Sequence, residues 1–383
     1  MKDTRQIDKC RVCGWLLYKE PLLKYGNMPA TAQHLPDKNS LKDDKGVDLV
    51  VCQCSGCGLV QLKNGPVSYY KEVIRAAGFS PEMREFRIKQ FSDFIKKYSL
   101  KGKKIIEIGC GRGEYLSIMS QTGVETHGLE YSKDSVKQCV KNGLNVQAGF
   151  IENEKYKTGG APFDAFFILS FLEHLPNPGE AFKGISNNLK NNAVGIVEVP
   201  NFDMILKKKL FSEFATDHLM YFTKDTLITA LTLNGFEVLE CQVVWHDYII
   251  SAVVKKRQKK DLSAFGEHQM KITRELREYA GRFSDKQIAV WGAGHQAFAL
   301  LSLAGLGDKI RYVVDSAPFK QGKYTPATHV PIVSPDKFFT DSIEAVIIIA
   351  GSYSDEVAEI IRLKCKRKIN VSIMRGRGLD IIR

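Results

Sequence analysis

Four cysteines near the start of the chain have the spacing of a metal site. Cys10 and Cys13 form one C-x-x-C pair, and Cys54 and Cys57 form a second pair further along. Two such pairs can deliver four thiolates to one Zn²⁺ in a tetrahedral arrangement. Because four thiolates leave no open position for a substrate, the spacing predicts a structural zinc ion at these cysteines. The alternative is four free thiols in a small segment with little core.

A glycine-rich turn follows a short apolar run that has the pattern of a buried strand. The turn contains Gly109, Gly111 and Gly113, with Glu107 in the run before it and Glu130 after the next strand pattern. Glycine lacks Cβ, so its backbone can approach a ligand closely and adopt positive φ. In an open α/β sheet, an acid about 20 residues after the turn contacts ribose hydroxyls. The pattern predicts a site for an adenosine-containing cofactor.

Details of this turn favour S-adenosylmethionine over NAD. An acid precedes the glycines, no phosphate-binding Lys-Ser/Thr follows them, and Arg112 replaces the small residue expected under a pyrophosphate. The E-x-G-x-G-x-G pattern, with an acid ending the next strand, resembles that of class I S-adenosylmethionine-dependent methyltransferases. The resemblance implies that the glycine turn lies under the methionine part and that Glu130 holds the ribose. A glycine turn in a purely structural βαβ unit is the alternative.

Asp217 and His218 are the candidates for acid–base chemistry. A histidine beside a carboxylate suits a general base near neutral pH, because the acid can orient the ring or raise its basicity. Neighbours in sequence need not touch, so a structural histidine in a loop is the alternative. Tyr69, Tyr70 and Arg75 lie in the segment before the core; we place Tyr70 with the catalytic residues and the other two with the substrate. Packing at a domain junction is the competing interpretation.

These residues need an alternating α/β framework to hold them. Strand patterns cover 145–150, 163–170 and 193–201, a final β-pair covers 236–244 and 248–254, and Ser80-Pro81 reads as the start of an amphipathic helix. The carboxyl ends of such strands face the ligands. We therefore place several strand-end residues at the site: Phe150 near the adenine, Ser170 and His174 by resemblance to the fourth-strand region of class I methyltransferases, and Glu198 and Asn201 beside the substrate.

The chain as a whole resembles the sugar C-methyltransferases that act on nucleotide-linked 4-keto-deoxysugars. That family combines a zinc module, a methyltransferase core and a C-terminal Rossmann-like domain. The matching motifs are at residues 54–62, 198–200, 217–222 and 320–332. The resemblance implies that His218, tuned by Asp217, removes a proton beside a sugar ketone. It also implies that the C-terminal domain helps to hold the nucleotide-sugar, with His295 and Lys320 among its contacts.

Several departures from this family fall on the acceptor side. Ala215 stands where the family has a tyrosine, Asp217 replaces a glutamate, and Ser170 replaces an asparagine. A tryptophan-asparagine pair becomes Gly351-Ser352-Tyr353. The residues on the cofactor side match the family motifs more closely than those on the acceptor side. The resemblance therefore supports methyl transfer more strongly than the identity of the acceptor. Methylation of oxygen or nitrogen on a related small molecule is the alternative.

We expect three domains in an α/β protein. These are a zinc-binding module at 1–75, a Rossmann-like methyltransferase domain at 76–255, and a C-terminal Rossmann-like domain at 256–383. The last contains a second strand–glycine–helix unit at Trp291-Gly292-Ala293-Gly294, followed by Asp315 at the end of the next strand. Taken alone, that unit would suggest NAD, so an NAD-linked or non-enzymatic sugar-nucleotide protein is a further alternative.

Composition and charge restrict the class of protein to which the chain can belong. The 383 residues are 44% hydrophobic and 26% charged, as in globular proteins, and no apolar run reaches membrane-spanning length. The polar N-terminus lacks a signal peptide, and an odd count of nine cysteines fits a reducing cytoplasm. A net charge of +12 suits an acidic partner such as a nucleotide, a sugar phosphate or RNA, and solvated lysine is the alternative. An RNA methyltransferase is less favoured, because residues 169–172 lack the N/D-P-P-Y/F motif of base methylation. We expect no nucleic-acid or membrane partner.

Overall fold

The computed structural model describes residues 6–33, 35–72 and 80–382. The chain divides into two compact units, Met1–Gln258 and Lys259–Arg383. The division falls three residues after the predicted start of the C-terminal domain. The N-terminal module and the methyltransferase core share the first unit, so residue 75 does not mark a boundary between compact units. Arg75 itself lies outside the described residues.

The first unit alternates strands and helices through most of its length. Its elements in chain order are β1 (Leu23–Met28), β2 (Val47–Gln53), β3 (Val60–Leu62), α1 (Pro81–Lys97), β4 (Lys104–Ile108), α2 (Glu114–Met119), β5 (Glu125–Glu130), α3 (Lys133–Lys141), β6 (Val146–Ala148), β7 (Phe163–Leu169), α4 (Pro178–Asn187), β8 (Leu189–Pro200), α5 (Phe202–Lys207), β9 (Met220–Tyr221), α6 (Lys224–Leu233), β10 (Phe236–Val244) and β11 (Ile249–Lys256).

A seven-stranded sheet forms the centre of this unit, in the order β10-β11-β8-β7-β4-β5-β6. Strands β4 to β8 run parallel, and β10 and β11 complete the sheet antiparallel. The middle strands are apolar on both faces because helices cover a parallel sheet from both sides. Helix α1 begins as predicted, with the Ser80 hydroxyl accepting a hydrogen bond from the Met83 N–H at 3.1 Å. The predicted Rossmann-like core is confirmed.

A separate four-stranded antiparallel sheet has the order β1-β2-β3-β9. Three of its strands come from the N-terminal module, but β9 comes from far along the chain. Val60 pairs with Tyr221, and Gln61 pairs with Met220. The N-terminal module is therefore joined to the core by backbone hydrogen bonds as well as by the connecting segment.

The second unit is also an α/β sandwich. Its elements in chain order are α7 (Ser263–Ala280), β12 (Ile288–Trp291), α8 (His295–Ala304), β13 (Ile310–Val314), β14 (Ile332–Val333), α9 (Pro335–Thr340), β15 (Ala345–Ile348), α10 (Ser354–Lys364), β16 (Asn370–Arg375) and β17 (Gly378–Ile381). Its sheet has the order β14-β13-β12-β15-β16-β17, parallel except for β17 at one edge.

Among the described residues of the whole chain, no helix combines the length and apolar character needed to cross a bilayer.

Candidate functional site

The four predicted cysteine ligands meet at one point. Their sulfur atoms all lie within 4.8 Å of one another, with Cys10 Sγ 3.6 Å from Cys57 Sγ and Cys13 Sγ 3.3 Å from Cys54 Sγ. A tetrahedron with Zn–S bonds of about 2.3 Å has S···S edges of about 3.8 Å. The donor set and its spacing fit a tetrahedral thiolate site. Cys52 is buried but does not belong to the cluster.

Backbone turns aim N–H groups at these sulfur atoms. The Val12 N–H donates to Cys10 Sγ at 3.4 Å, and the Gly56 N–H donates to Cys54 Sγ at 3.3 Å. The glycines after the two pairs, Gly14 and Gly58, have φ of 77° and 76°. Such N–H groups stabilise negative charge on the sulfurs, which is the form that binds metal.

Backbone hydrogen bonds join the cysteine module to the loop that carries Asp217 and His218. The Leu62 N–H, at the end of β3, donates to the Leu219 carbonyl at 3.0 Å. The Leu219 N–H donates to the Glu173 carbonyl at 2.9 Å. The residue after His218 is thus held on one side by the small sheet and on the other by the turn after β7. The cysteine module is therefore hydrogen-bonded to the residue that follows His218.

The glycine turn after β4 has the strained backbone that only glycine adopts readily. Gly109, Gly111 and Gly113 have φ of 70°, 56° and 83°. A Cβ added to Gly109 would lie 2.8 Å from the Phe171 ring, and one added to Gly113 would lie 2.5 Å from the Leu144 side chain. The turn thus packs closely against neighbouring side chains and leaves its backbone exposed toward the carboxyl end of β4.

Glu130, at the end of β5, holds this turn in place. One carboxylate oxygen accepts the Gly111 N–H at 2.9 Å, and the other accepts the Ser132 N–H at 2.8 Å. An ionised carboxylate offers about four lone-pair sites, so a carboxylate in this position can accept more than two hydrogen bonds. The same residue can therefore fix the glycine turn and bind a nucleoside. Glu107 is fully buried in β4 beneath it.

A cavity with an empty volume of about 360 Å³ opens beside this turn. Its lining combines one carboxylate with several apolar and aromatic side chains, which suits a ribose attached to a purine ring. The predicted residue Phe150 is in its wall, together with Phe171, at the end of the neighbouring strand β7. Ser170, just before Phe171, has a left-handed backbone with φ of 52°. The residues that line the cavity include Gly109, Glu130, Tyr131, Phe150 and Phe171.

Lys71 also lines this cavity, although no sequence motif indicated it. Its ammonium group lies 5.4 Å from the Tyr131 ring centroid and 5.2 Å from that of Phe150, and it forms an ion pair with Glu152. These distances are within the range of cation–π attraction. A lysine in a polar connecting segment has no distinguishing sequence pattern, so only the three-dimensional structure assigns it to the site.

The two predicted tyrosines contact Phe150 and the N-terminal module. The Tyr70 ring packs edge-on against Phe150 at 5.8 Å, which places it on the cofactor side of the cavity. The Tyr69 hydroxyl accepts the Ala32 N–H at 3.1 Å, within the N-terminal module. Within the described parts of the chain, no contact of Tyr70 with His218 or Asp217 is recorded, so its catalytic role stays a prediction.

His174 contacts His218 and also lies with its ring centroid 6.4 Å from that of Phe171, which lines the cofactor cavity. Its role in cofactor binding stays a prediction. Its Nδ1–H donates to the Asp217 carbonyl at 2.7 Å, and the two imidazole rings meet edge to face at 4.7 Å. Glu173 completes the group, with one carboxylate oxygen 4.0 Å from His174 Nε2. The turn after β7 thus supports the His218 loop.

Burial decides the protonation of both histidines. It lowers the pKa of His174 to about 3, helped by the neighbouring His218 and opposed by the Asp217 carbonyl. Burial also lowers the pKa of His218, although the negative charges of Asp217 and Glu213 act in the opposite direction. Both rings are therefore neutral near pH 7. A neutral His218 has a free lone pair and can accept a proton.

Two other predicted substrate residues have structural partners. Glu198 is fully buried in β8 and forms an ion pair with Arg87 of α1 at 2.5 Å. Asn201 caps α5 by accepting the Asp203 N–H at 3.1 Å, and it donates to the Asp247 carbonyl at 2.8 Å. Glu198 therefore braces the sheet against α1, and Asn201 ties the end of β8 to the β10–β11 hairpin.

In the second unit, His295 and Lys320 line a cavity with an empty volume of about 1000 Å³. It lies at the carboxyl ends of β12, β13 and β15, where open α/β sheets bind ligands. Asp315 accepts the Ala293 N–H at 2.9 Å and pairs with Lys320 Nζ at 2.9 Å. The predicted strand–glycine–helix unit is present, and its acid is paired with a cation.

Comparison with known proteins agrees with this geometry. Residues 83–241 match the family model of a methyltransferase domain, and residues 253–369 match that of the C-methyltransferase C-terminal domain. The C-methyltransferase NovU of Streptomyces niveus is 25% identical over 399 aligned residues, which cover 94% of this chain and 93% of that protein. The chain is a class I S-adenosylmethionine-dependent methyltransferase.

Two further similarities cover only part of this methyltransferase. The ubiquinone biosynthesis O-methyltransferase of Chromobacterium violaceum is 30% identical over 105 residues, which are 26% of this chain and 45% of that enzyme. An S-adenosylmethionine-dependent methyltransferase structure from Aquifex aeolicus covers 47% of this chain and all of its own, at 16% identity and a TM-score of 0.36.

The cofactor residues of this methyltransferase follow from the geometry. The glycine turn and Glu130 present backbone groups and a carboxylate, and Phe150 and Phe171 present apolar rings, at one end of the sheet. These groups fit S-adenosylmethionine, which has a ribose, a purine ring and a polar methionine part. The predicted residues Gly109, Glu130 and Phe150 line one cavity, and the sequence did not indicate Lys71, which also lines it.

Proposed function

We propose that this methyltransferase transfers the methyl group to a carbon atom of a nucleotide-linked keto-deoxysugar. The observation that supports this most is the similarity to a C-methyltransferase over almost the whole chain, cysteine module and C-terminal unit included. The C-terminal family model is also that of C-methyltransferases. A nucleotide-sugar fits the cavity of the second unit, because the Lys320 ammonium group and the His295 ring there can contact phosphate.

Carbon methylation needs a base, and His218 is the residue we assign to it. In this proposal its neutral ring accepts the proton from the carbon next to the sugar ketone, and the electron pair moves onto the ketone oxygen as an enolate. The Asp217 carboxylate, buried beside the ring, stabilises the imidazolium that forms. S-adenosylmethionine, when bound, supplies an electrophilic methyl group. Positioning the acceptor carbon about 3 Å from that group accounts for much of the remaining rate enhancement.

We also propose that the four cysteines hold a structural zinc ion. The support is the donor set, the S···S distances and the N–H groups aimed at sulfur. Four thiolates close the coordination sphere, so the ion would not take part in transfer. Its contribution is to order the small sheet, whose strand β9 begins two residues after His218.

A proton-exchange assay tests the base separately from methyl transfer. The protein is incubated in D₂O with S-adenosylhomocysteine and a panel of nucleotide-linked 4-keto-sugars, and deuterium next to the ketone is followed by NMR. We expect exchange with the wild type and with His268→Asn, whose side chain is exposed on α7, and none with His218→Asn. Exchange at the wild-type rate in His218→Asn would remove His218 as the base.

A second assay identifies the acceptor atom. With S-adenosylmethionine carrying a labelled methyl group, carbon methylation gives a new C–CH₃ signal, whereas oxygen or nitrogen methylation gives O–CH₃ or N–CH₃ signals. We expect the carbon product. Binding of S-adenosylhomocysteine without transfer to any keto-sugar would reject the acceptor class, while the assignment as a methyltransferase would stand.

A further inference from the structure

A second group of metal-binding side chains lies on the acceptor side of the site. The ligand atoms of Glu173, His174 and His218 all lie within 4.8 Å of one another. Two imidazoles and one carboxylate form a donor set that binds divalent transition metals and leaves coordination positions open. The group is distinct from the four cysteines in both position and ligand chemistry.

The orientation of His174 is that of a metal ligand. Its Nδ1–H donates to the Asp217 carbonyl at 2.7 Å, so Nε2 carries the lone pair. That lone pair is on the side of Glu173, whose carboxylate oxygen is 4.0 Å away. Histidines that bind metals commonly donate the other ring N–H to a backbone carbonyl in this way, which fixes the tautomer. Two electron-rich atoms facing each other across this distance favour a cation between them.

Charge around the group supports the same conclusion. Asp217 is 4% exposed and lies beside His218, and its Oδ1 has no hydrogen-bond partner among the described residues. Its carboxylate adds negative charge next to the three ligands, and a divalent cation would offset it. Metal–ligand bonds of about 2.1 Å require donor atoms about 3.4 Å apart. Side-chain rotations that move the donors by about 1 Å would therefore close the site.

We propose that Glu173, His174 and His218 form a binding site for a divalent transition cation, and that the bound cation blocks proton transfer by His218. The second half rests on the proposed role of His218 as the base. A lone pair that binds a metal cannot accept a proton, so metal binding and base catalysis exclude each other at this residue. The cation-free form is the one that transfers methyl groups, and its activity falls when the cation binds.

Cobalt(II) titration of the full-length protein tests the site without any acceptor. Cobalt at four thiolates gives a sulfur-to-metal charge-transfer band, whereas cobalt at two imidazoles and a carboxylate gives ligand-field bands without it. After the cysteine site is filled, we expect one further equivalent in the wild type and in the control His268→Asn. In Glu173→Gln and His218→Asn its affinity falls by more than about 100-fold, because loss of an outer-shell partner alone costs 10–100-fold.

Two results would overturn the site. One is a wild type that binds no cobalt beyond the cysteine site. The other is a second equivalent that persists unchanged in both Glu173→Gln and His218→Asn, with circular dichroism showing that the variants are folded. Because these measurements need neither cofactor nor acceptor, they stand even if the nucleotide-sugar assignment fails.

Transfer assays then test the competition. We expect Co²⁺ or Zn²⁺ to lower the rate in step with occupancy of the second site, and a chelator that leaves the cysteine site filled to restore it. A rate that falls on chelation and returns with Co²⁺ would overturn the competition and leave the metal site itself intact.

Discussion

Replacing Gly109 by alanine tests the glycine turn, and Gly102 provides a matched control. The two residues have φ of 70° and 71°, so alanine meets the same backbone strain at each, about 1–2 kcal/mol. Their surroundings differ. A Cβ at Gly102 has no neighbour within 4 Å, whereas a Cβ at Gly109 lies 2.8, 2.9 and 3.1 Å from three atoms of the Phe171 ring.

The extra contact at Gly109 determines the expected effect. Overpacking of this kind costs about 1–3 kcal/mol, and it is relieved by moving either Phe171 or the turn. Both line the cofactor cavity. If most of that energy appears in binding, the affinity for S-adenosylhomocysteine falls by about 10–100-fold, at 1.4 kcal/mol per tenfold. Gly102→Ala should lose stability but bind within about twofold of the wild type.

Isothermal titration with S-adenosylhomocysteine and urea unfolding of both variants provide the measurements. We expect Gly109→Ala to lose at least as much unfolding free energy as Gly102→Ala and to be the only one of the two that loses affinity. Wild-type affinity in a folded Gly109→Ala would refute this expectation, because the turn would then lie away from the cofactor. Equal affinity losses in both variants would attribute the effect to general destabilisation and refute it as well.

Four further predictions address other parts of the molecule. Metal removal from the cysteines should speed amide exchange at residues 219–222, measured by mass spectrometry, and leave β12 unchanged, because β9 loses its support. Glu198→Gln should destabilise the protein by about 3–5 kcal/mol in urea, since Arg87 stays buried without its partner; a variant with Arg87→Met and Glu198→Leu should recover most of this loss. Because burial lowers the pKa of His218, the transfer rate should stay level as pH falls through 6.5 and drop only at more acid pH; a drop centred at or above 6.5 would contradict this. Burial raises the pKa of Asp315, but backbone N–H groups and the paired lysine outweigh it and lower that pKa. The ionised Asp315 therefore stabilises the fold above about pH 4, and this stabilisation is lost at lower pH. In urea unfolding measured against pH, Asp315→Asn should lack this pH-dependent loss of stability.

Local patterns in the sequence predicted the parts of the fold that local physics determines. The apolar run, the glycines and Glu130 predicted β4, its turn and β5, because a parallel strand followed by positive-φ residues has few other solutions. The start of α1 at Pro81 followed from an N-cap serine and a proline. The two C-x-x-C pairs converge as their spacing predicted. Each of these features depends on residues that are close in sequence or share one ligand chemistry.

Features that depend on long-range pairing were not predictable in this way. Strand β9 has two residues and pairs with β3 from far away in the chain, so no periodicity marks it. His174 follows a strand end, and no local pattern indicates its hydrogen bond to the carbonyl of Asp217, which is 43 residues away in the chain. Glu198 also follows a family motif, but its side chain points to Arg87. The position of His174 and Glu198 in the sequence does not give the direction of their side chains, and that direction determines which residues they contact.

The two glycine units of the chain use their acids in the same way but present different chemistry to a ligand. Glu130 accepts the Gly111 and Ser132 N–H groups, and Asp315 accepts the Ala293 and Ala317 N–H groups, all at 2.8 to 2.9 Å.

Asp315 differs in its further bond to the Lys320 ammonium group at 2.9 Å. An acid paired with a cation is a weaker acceptor for ribose hydroxyls, while the lysine beside the glycine turn can meet a phosphate. The same strand–turn–helix unit therefore suits a nucleoside in the first unit and an anionic group in the second. The proposed function calls for both kinds of site, one for an adenosyl cofactor and one for a phosphorylated acceptor.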